Sequence, residues 1–212
     1  KMVSLAAAID PTIMQGMPPH ITADTGIDVL THALEAWMSV NAGAETDYYA
    51  ASATKGVMEY LPTAYNDGKD IKARVQMGMA AHYGGIAFNK AGLGYVHAIA
   101  HQLGAYYSIP HGRANAIVLP YVLYLNRKAS EKRLAKLAKK IGLVDKGQAN
   151  NSDGEIADHL IAKVRELLAT VNIDPTVKGM QESDFDAIAK AAAKEVSDTY
   201  AVPTYMPASG IK

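Results

Sequence analysis

Apolar residues return every three to four positions along most of this chain, the spacing that gives a helix one face to bury. Ile27, Leu30, Leu34 and Trp37 form such a stripe. Thr22 or Asp24 is placed to cap this first helix, which is expected to reach about Val40 with Asp28 and His32 on the same inner side. Thr46 or Asp47 opens a second helix through Ala50, Ala53, Val57 and Met58, expected to stop before Pro62. Past the turn at Asp67-Gly68, a third helix is predicted from Asp70 to about Phe88. It is rich in Ala and Met; small residues let helices approach closely, and the methionines read as core. A fourth helix carries His97 and His101. A fifth follows His111 through Ala116, Ile117 and Val118, with Pro120 predicted to kink or interrupt it before the pattern resumes at Leu123 and Leu125.

The pattern continues to the C-terminus. From Lys128 to Ile141, Leu134, Leu137, Ala138 and Ile141 face in, and Lys132, Arg133, Lys136, Lys139 and Lys140 are read as a solvated face. A polar loop covers Gly147 to Asp153, and a helix is predicted from Ser152 to about Val171, broken by Asp174-Pro175. Ser183-Asp184-Phe185-Asp186 reads as a good cap for the last long helix. The tail from Tyr200, with Pro203, Pro207 and Gly210, need not be helical. Residues 1–21 read as a connector, with a short extended segment over Val3 to Ile9. The fold class is therefore all-α, a bundle-like domain of roughly seven to nine helices over residues 22–212, with almost no strand beyond the first ten residues.

Composition narrows the function. Lys+Arg 21 and Asp+Glu 21 cancel, which argues against a nucleic-acid or anionic-membrane partner. No apolar run approaches the ~20 residues of a membrane-spanning helix. Without cysteine there are no disulfides or thiolate metal sites, consistent with a cytoplasmic location. A Gly-rich turn between strand and helix, as needed to hold a pyrophosphate, is missing: Gly84-Gly85 and Gly92-Leu93-Gly94 lie in helical text.

The chemistry concentrates in Gly92 to Gly104 and in Ile109-Pro110-His111-Gly112. His97 and His101 are four apart, one helical turn, as are Asp28 and His32. His111 follows a Pro and precedes a Gly, as at a loop where the chain turns back. A single helical His is commonly a satisfied core residue. Two such pairs and a further His favour one divalent metal, because so many buried polar groups would otherwise be costly. Imidazole with a carboxylate suits Fe(II), Mn or Zn. His20 reads as a surface residue, His159 as solvated, and His82 as a core or cleft-edge group outside the ligand set. Trp37, Phe88 and Tyr95 read equally as pocket lining or as plain core.

These segments carry a family likeness. Met17-Pro18-Pro19, the run Thr25 to Ala36, the run Ala91 to His101 and the run Pro110 to Pro120 occur in the content and order of the iron-containing (group III) alcohol dehydrogenases, which this chain resembles over nearly its whole length. The resemblance implies the C-terminal helical half of a dehydroquinate synthase-like fold, its N-terminal dinucleotide-binding domain absent from this chain. It implies metal ligands Asp28, His32, His97 and His111, with Fe(II) as the ion and Zn(II) as the alternative used by glycerol dehydrogenase and dehydroquinate synthase relatives. It implies NAD or NADP bound through the other domain, a small alcohol or aldehyde substrate, and a homodimer. His101 is expected beside the metal rather than on it, as a catalytic group near the nicotinamide that relays the alcohol proton or orients the substrate. Two alternatives are a non-catalytic helical domain with an idle metal site and a zinc-dependent lyase-type relative. This chain alone is expected not to oxidise alcohols.

Overall fold

The structure is a computed structural model describing residues 6–148 and 150–211. Among the described residues there are eight α-helices and no strand: α1 (Pro19–Met38), α2 (Ala44–Asn66), α3 (Ile71–Ala91), α4 (Tyr95–Tyr107), α5 (His111–Ile141), α6 (Asp153–Thr170), α7 (Phe185–Thr199) and α8 (Ala208–Ile211). The all-α expectation holds. The extended segment read over Val3 to Ile9 falls partly outside the described residues, and its described part has no regular structure. No helix among the described residues is long and apolar enough to cross a membrane.

α1 is the central element. It packs against α2, α3 and α5, while α4 lies between α5 and α7. Its stripe Ile27, Leu30, Leu34 and Trp37 is fully buried. Asp28 and His32 are only half-buried. They lie about a quarter turn or more around the helix from that stripe and do not share its side. One flank of α1 therefore feeds the core and another presents polar groups.

Several boundaries differ from expectation, each for a local reason. α1 begins at Pro19, since proline at the first helical position leaves no N–H unsatisfied. Thr22 and Asp24, expected as caps, are instead buried side-chain anchors: Thr22 accepts from Arg74 Nη1 at 2.9 Å, and Asp24 accepts from Arg113 Nε at 2.6 Å. Arg74 is itself buried and also donates to the carbonyls of Gly68 and Met17, which ties the connector to α1 and α3. α2 starts at Ala44, with Thr46 Oγ1 accepting the Gly43 N–H at 2.8 Å, and it runs through Pro62 to Asn66. α5 continues unbroken through Pro120 and absorbs the separately predicted basic helix. In both helices buried neighbours, Leu61 and Ala64 in α2 and Leu119, Val122 and Leu123 in α5, hold the turn around the proline. Ser152, where this helix was expected to start, forms a capping box with Glu155. The cap predicted at Ser183 is not formed; a 3-10 turn, Glu182–Asp184, leads into α7 instead.

The basic face also differs. Arg133 is half-buried rather than freely solvated. It donates to the Trp37 carbonyl and, through both terminal nitrogens, to the Asp47 carboxylate at 2.9 and 2.6 Å. Its guanidinium sits 4.5 Å over the Trp37 ring, and Trp37 Nε1 donates to the Arg133 carbonyl at 2.7 Å. Together these contacts clamp α1, α2 and α5. Trp37 and Tyr95 are plain core.

Candidate metal centre

Three helices deliver the site. α1 carries Asp28 and His32, α4 carries His97 near its start, and His111 is the first residue of α5, after Pro110, rather than a loop residue. Two glycines make this convergence possible. Gly92 ends α3 at φ 91°, a left-handed conformation that favours glycine, so Gly92-Leu93-Gly94 is an interhelical turn rather than helical text. Gly112 packs directly on α1, where a Cβ would stand 2.4 Å from the backbone oxygen of Asp24. Only a residue without a side chain lets α5 bring His111 this near to Asp28.

Asp28, His97 and His111 each offer one ligand atom, and these atoms all lie within 4.8 Å of one another. Nε2 of His97 and Nε2 of His111 lie 3.6 and 3.5 Å from Asp28 Oδ1, too long for good hydrogen bonds. His97 Nε2 is buried without any hydrogen-bond partner. An orphaned buried nitrogen facing a carboxylate and a second imidazole is what a ligand looks like without its ion. The donor set, oxygen and imidazole nitrogen with no sulfur, fits a borderline divalent metal.

His32 is not one of the three. Its ring is packed flat between Phe88 and His97, centroids 4.4 and 4.5 Å away, and its Nδ1 lies 4.0 Å from Asp28 Oδ2. Phe88 therefore borders the site. His101 is exposed on α4. Its ring stacks on His111 at 5.4 Å, and its Nδ1 is held 2.7 Å from Glu195 Oε1 on α7. His20 and His82 are exposed, as read for His20. His159 is half-buried, 3.3 Å from Gln148 Nε2, rather than freely solvated.

Two supporting residues had escaped the sequence reading. Glu35 is buried, accepts from His97 Nδ1 at 2.6 Å and from the Val96 N–H at 2.7 Å, and so fixes which His97 nitrogen faces the site. Asn115 is buried and donates to Asp28 Oδ1 at 2.6 Å, and its amide nitrogen lies 3.0 Å from His111 Nε2. Both were findable by helical spacing: Glu35 is seven residues beyond Asp28, and Asn115 four beyond His111.

The electrostatics separate the imidazoles. Burial works against a charge on His97, but the Asp28 and Glu35 carboxylates outweigh it and raise the group to about 9. Burial dominates at His32, lowering it to about 4 despite Asp28, and lowers His111 as well. For Asp28, burial pushes the carboxyl up, and the neighbouring imidazoles more than reverse this. The metal-free chain should therefore lose stability in two directions. Between pH 6.5 and about 4 the unfolded chain takes up protons that folded His32 resists, so stability falls as pH falls. Between 6.5 and about 9, folded His97 keeps a proton that the unfolded chain releases, so stability falls as pH rises. Thermal unfolding in a chelator should thus peak near neutrality. A midpoint that climbs steadily from pH 6.5 to 9 would contradict this assignment of charges.

A separate cavity lies elsewhere. About 530 Å³ of apolar space is lined by Leu103, Ile117, Tyr121, Phe185 and Ile211, among others, and by none of the site residues above. Donor chemistry rather than volume marks the centre.

Comparisons with known proteins place the chain in one family. The model of the Fe-containing alcohol dehydrogenase family, C-terminal, matches residues 22–209. Alcohol dehydrogenase 4 of Saccharomyces cerevisiae is 42% identical over 195 residues, covering 90% of this chain and 49% of that protein. The 1,3-propanediol dehydrogenase of Citrobacter freundii is 41% identical over 188 residues, covering 88% and 48%. A crystal structure of a 1,3-propanediol oxidoreductase superposes with a TM-score of 0.89 at 37% identity, over 95% of this chain and 52% of that one. The chain spans about half the length of the relatives it matches.

Proposed function

We propose that this chain, which belongs to the Fe-containing alcohol dehydrogenase family, is the metal-binding half of an iron-dependent, NAD(P)-linked alcohol dehydrogenase. The observation that carries the reading is the Asp28–His97–His111 cluster, with the orphaned Nε2 of His97 at its heart. Asp28, His97 and His111 hold the ion, and His32, stacked at their edge, is the fourth ligand. Glu35 orients His97, and Asn115 orients Asp28. When bound, the metal supplies Lewis acidity toward the substrate oxygen, and the nicotinamide supplies hydride chemistry. His101 lies in the cleft beside His111, where it takes the proton from the alcohol hydroxyl or returns it in the reverse direction. The dinucleotide is held by a separate N-terminal domain of the whole enzyme, a cytoplasmic homodimer acting on a small alcohol, aldehyde or ketone.

One observation favours a second metal. A carboxylate with two imidazoles is the set expected of the zinc relatives, and the tight cluster has that composition. The adjacent third imidazole of His32 tips the assignment to iron. The test is a two-domain protein containing this chain, stripped and reloaded anaerobically with Fe(II) or Zn(II). NAD(P)H should form from a primary alcohol with Fe(II), and not from the stripped protein or from this chain alone. Equal turnover by stripped and loaded protein would overturn the proposal.

A further inference from the structure

A proton carrier at His101 needs its ring held in one orientation. His101 is on the exposed side of α4, where a histidine ring would ordinarily turn freely. Here it does not. Nδ1 is 2.7 Å from Glu195 Oε1, and one face is stacked on His111 with the rings 21° from parallel. Glu195 is in turn fixed by other groups. Tyr200 donates to the same Oε1 at 2.9 Å, and Gln102 Nε2 donates to Oε2 at 3.3 Å. Burial and the Glu195 carboxylate hold the Tyr200 phenol well above its usual range, so it stays a donor. The carboxylate therefore has three side-chain donors, from α4 and from the start of the C-terminal tail.

We infer that Glu195 is a positioning residue for His101: by accepting the Nδ1–H it fixes the ring and its tautomer, leaving the Nε2 lone pair free beside the Asp28–His97–His111 cluster. α7, far along the chain from the metal-binding segments, thereby contributes to the site. The arrangement parallels Glu35 and His97, in which a carboxylate also holds Nδ1 and leaves Nε2 facing inward. The two carboxylates serve different ends: Glu35 aims a ligand, and Glu195 aims the neighbouring proton carrier. This inference rests on His101 being a cleft group rather than a ligand.

The experiment reads the tautomer directly. In the metal-free 212-residue chain, ¹⁵N NMR of the His101 ring at about pH 8, where an ordinary histidine is neutral, should show the proton on Nδ1. Glu195→Ala should shift it to the Nε2–H form that histidine prefers in water, and Glu195→Gln, which still offers an oxygen acceptor, should retain Nδ1–H. In the two-domain enzyme, Glu195→Ala should lower kcat about 10- to 100-fold with KM and metal content unchanged and with Glu195→Gln nearer wild type. The same His101 tautomer in wild type and Glu195→Ala overturns the inference, as does an unchanged kcat. A fall in unfolding temperature and in kcat without a tautomer change also overturns it, because it marks a merely structural contact. Failure of the underlying reading looks different: metal would be lost from His101→Phe while the tautomer results stood.

Discussion

Replacing His111 by alanine should weaken Zn(II) or Fe(II) binding by this chain by more than about a hundredfold, beyond the 10–100-fold typical of supporting residues. His111 is the best member of the cluster to remove, since its side chain is 46% exposed and its loss leaves the core intact. His97→Ala would leave one oxygen of buried Glu35 without its partner, mixing a folding defect with the metal effect. Glu35→Gln keeps the volume but weakens the anchor on Nδ1, and should cost about 10–100-fold. His32→Ala should cost less than His111→Ala, because the His32 ring stands outside the tight cluster. Competition titrations with a chromogenic chelator would rank the four proteins. His111→Ala within a few-fold of wild type would remove Asp28–His97–His111 as the metal centre. Affinity should also rise with pH through the neutral range, because His97 must shed a proton to become a ligand.

The largest effect on stability is expected at Trp37. Trp37→Ala should cost about 3–5 kcal/mol, the range for emptying a buried aromatic site. In a chain of this size that lowers the unfolding midpoint by about 6–20 °C. The residue is fully buried, and its loss does more than leave a hole. The Arg133 carbonyl loses its second donor, and the guanidinium loses the ring it covers, so the clamp on α1, α2 and α5 opens. Trp37→Phe keeps most of the packing but removes the indole donor from that carbonyl, which retains its partner within α5, and should cost about 0.5–1.5 kcal/mol. Thermal denaturation of both variants checks the order. Equal midpoints for Trp37→Ala and wild type would show that the clamp contributes nothing.

The candidate site residues were legible in the sequence because helices make them so. Two pairs four residues apart, Asp28 with His32 and His97 with His101, can be recognised without any tertiary information, since backbone geometry alone puts each pair on one side of a helix. The all-α class was legible for the same reason: an apolar period of 3.6 is a property of local backbone geometry. Family resemblance then suggested a ligand set, and the family model matches residues 22–209. Helix ends were less legible. Pro62 and Pro120 read locally as breaks, yet both helices pass through them, because burial of Leu61, Leu119 and Leu123 offsets one missing hydrogen bond.

Other features were decided only by packing between distant segments. Arg133 looked like one cation of a wet face, and is a half-buried clamp because α1 lies 96 residues away in sequence and against it in space. The division of labour among the histidines is likewise tertiary. The phenylalanine and imidazole on either side of His32 set it apart from the cluster. Glu35 selects the inward nitrogen of His97, 62 residues on, and Glu195 holds His101 across 94 residues. Sequence spacing determined which side chains share a helix face. Which nitrogen of His97 faces the site is set by a carboxylate on another helix, because an imidazole offers two alternative nitrogens and only a partner fixed in space can choose between them.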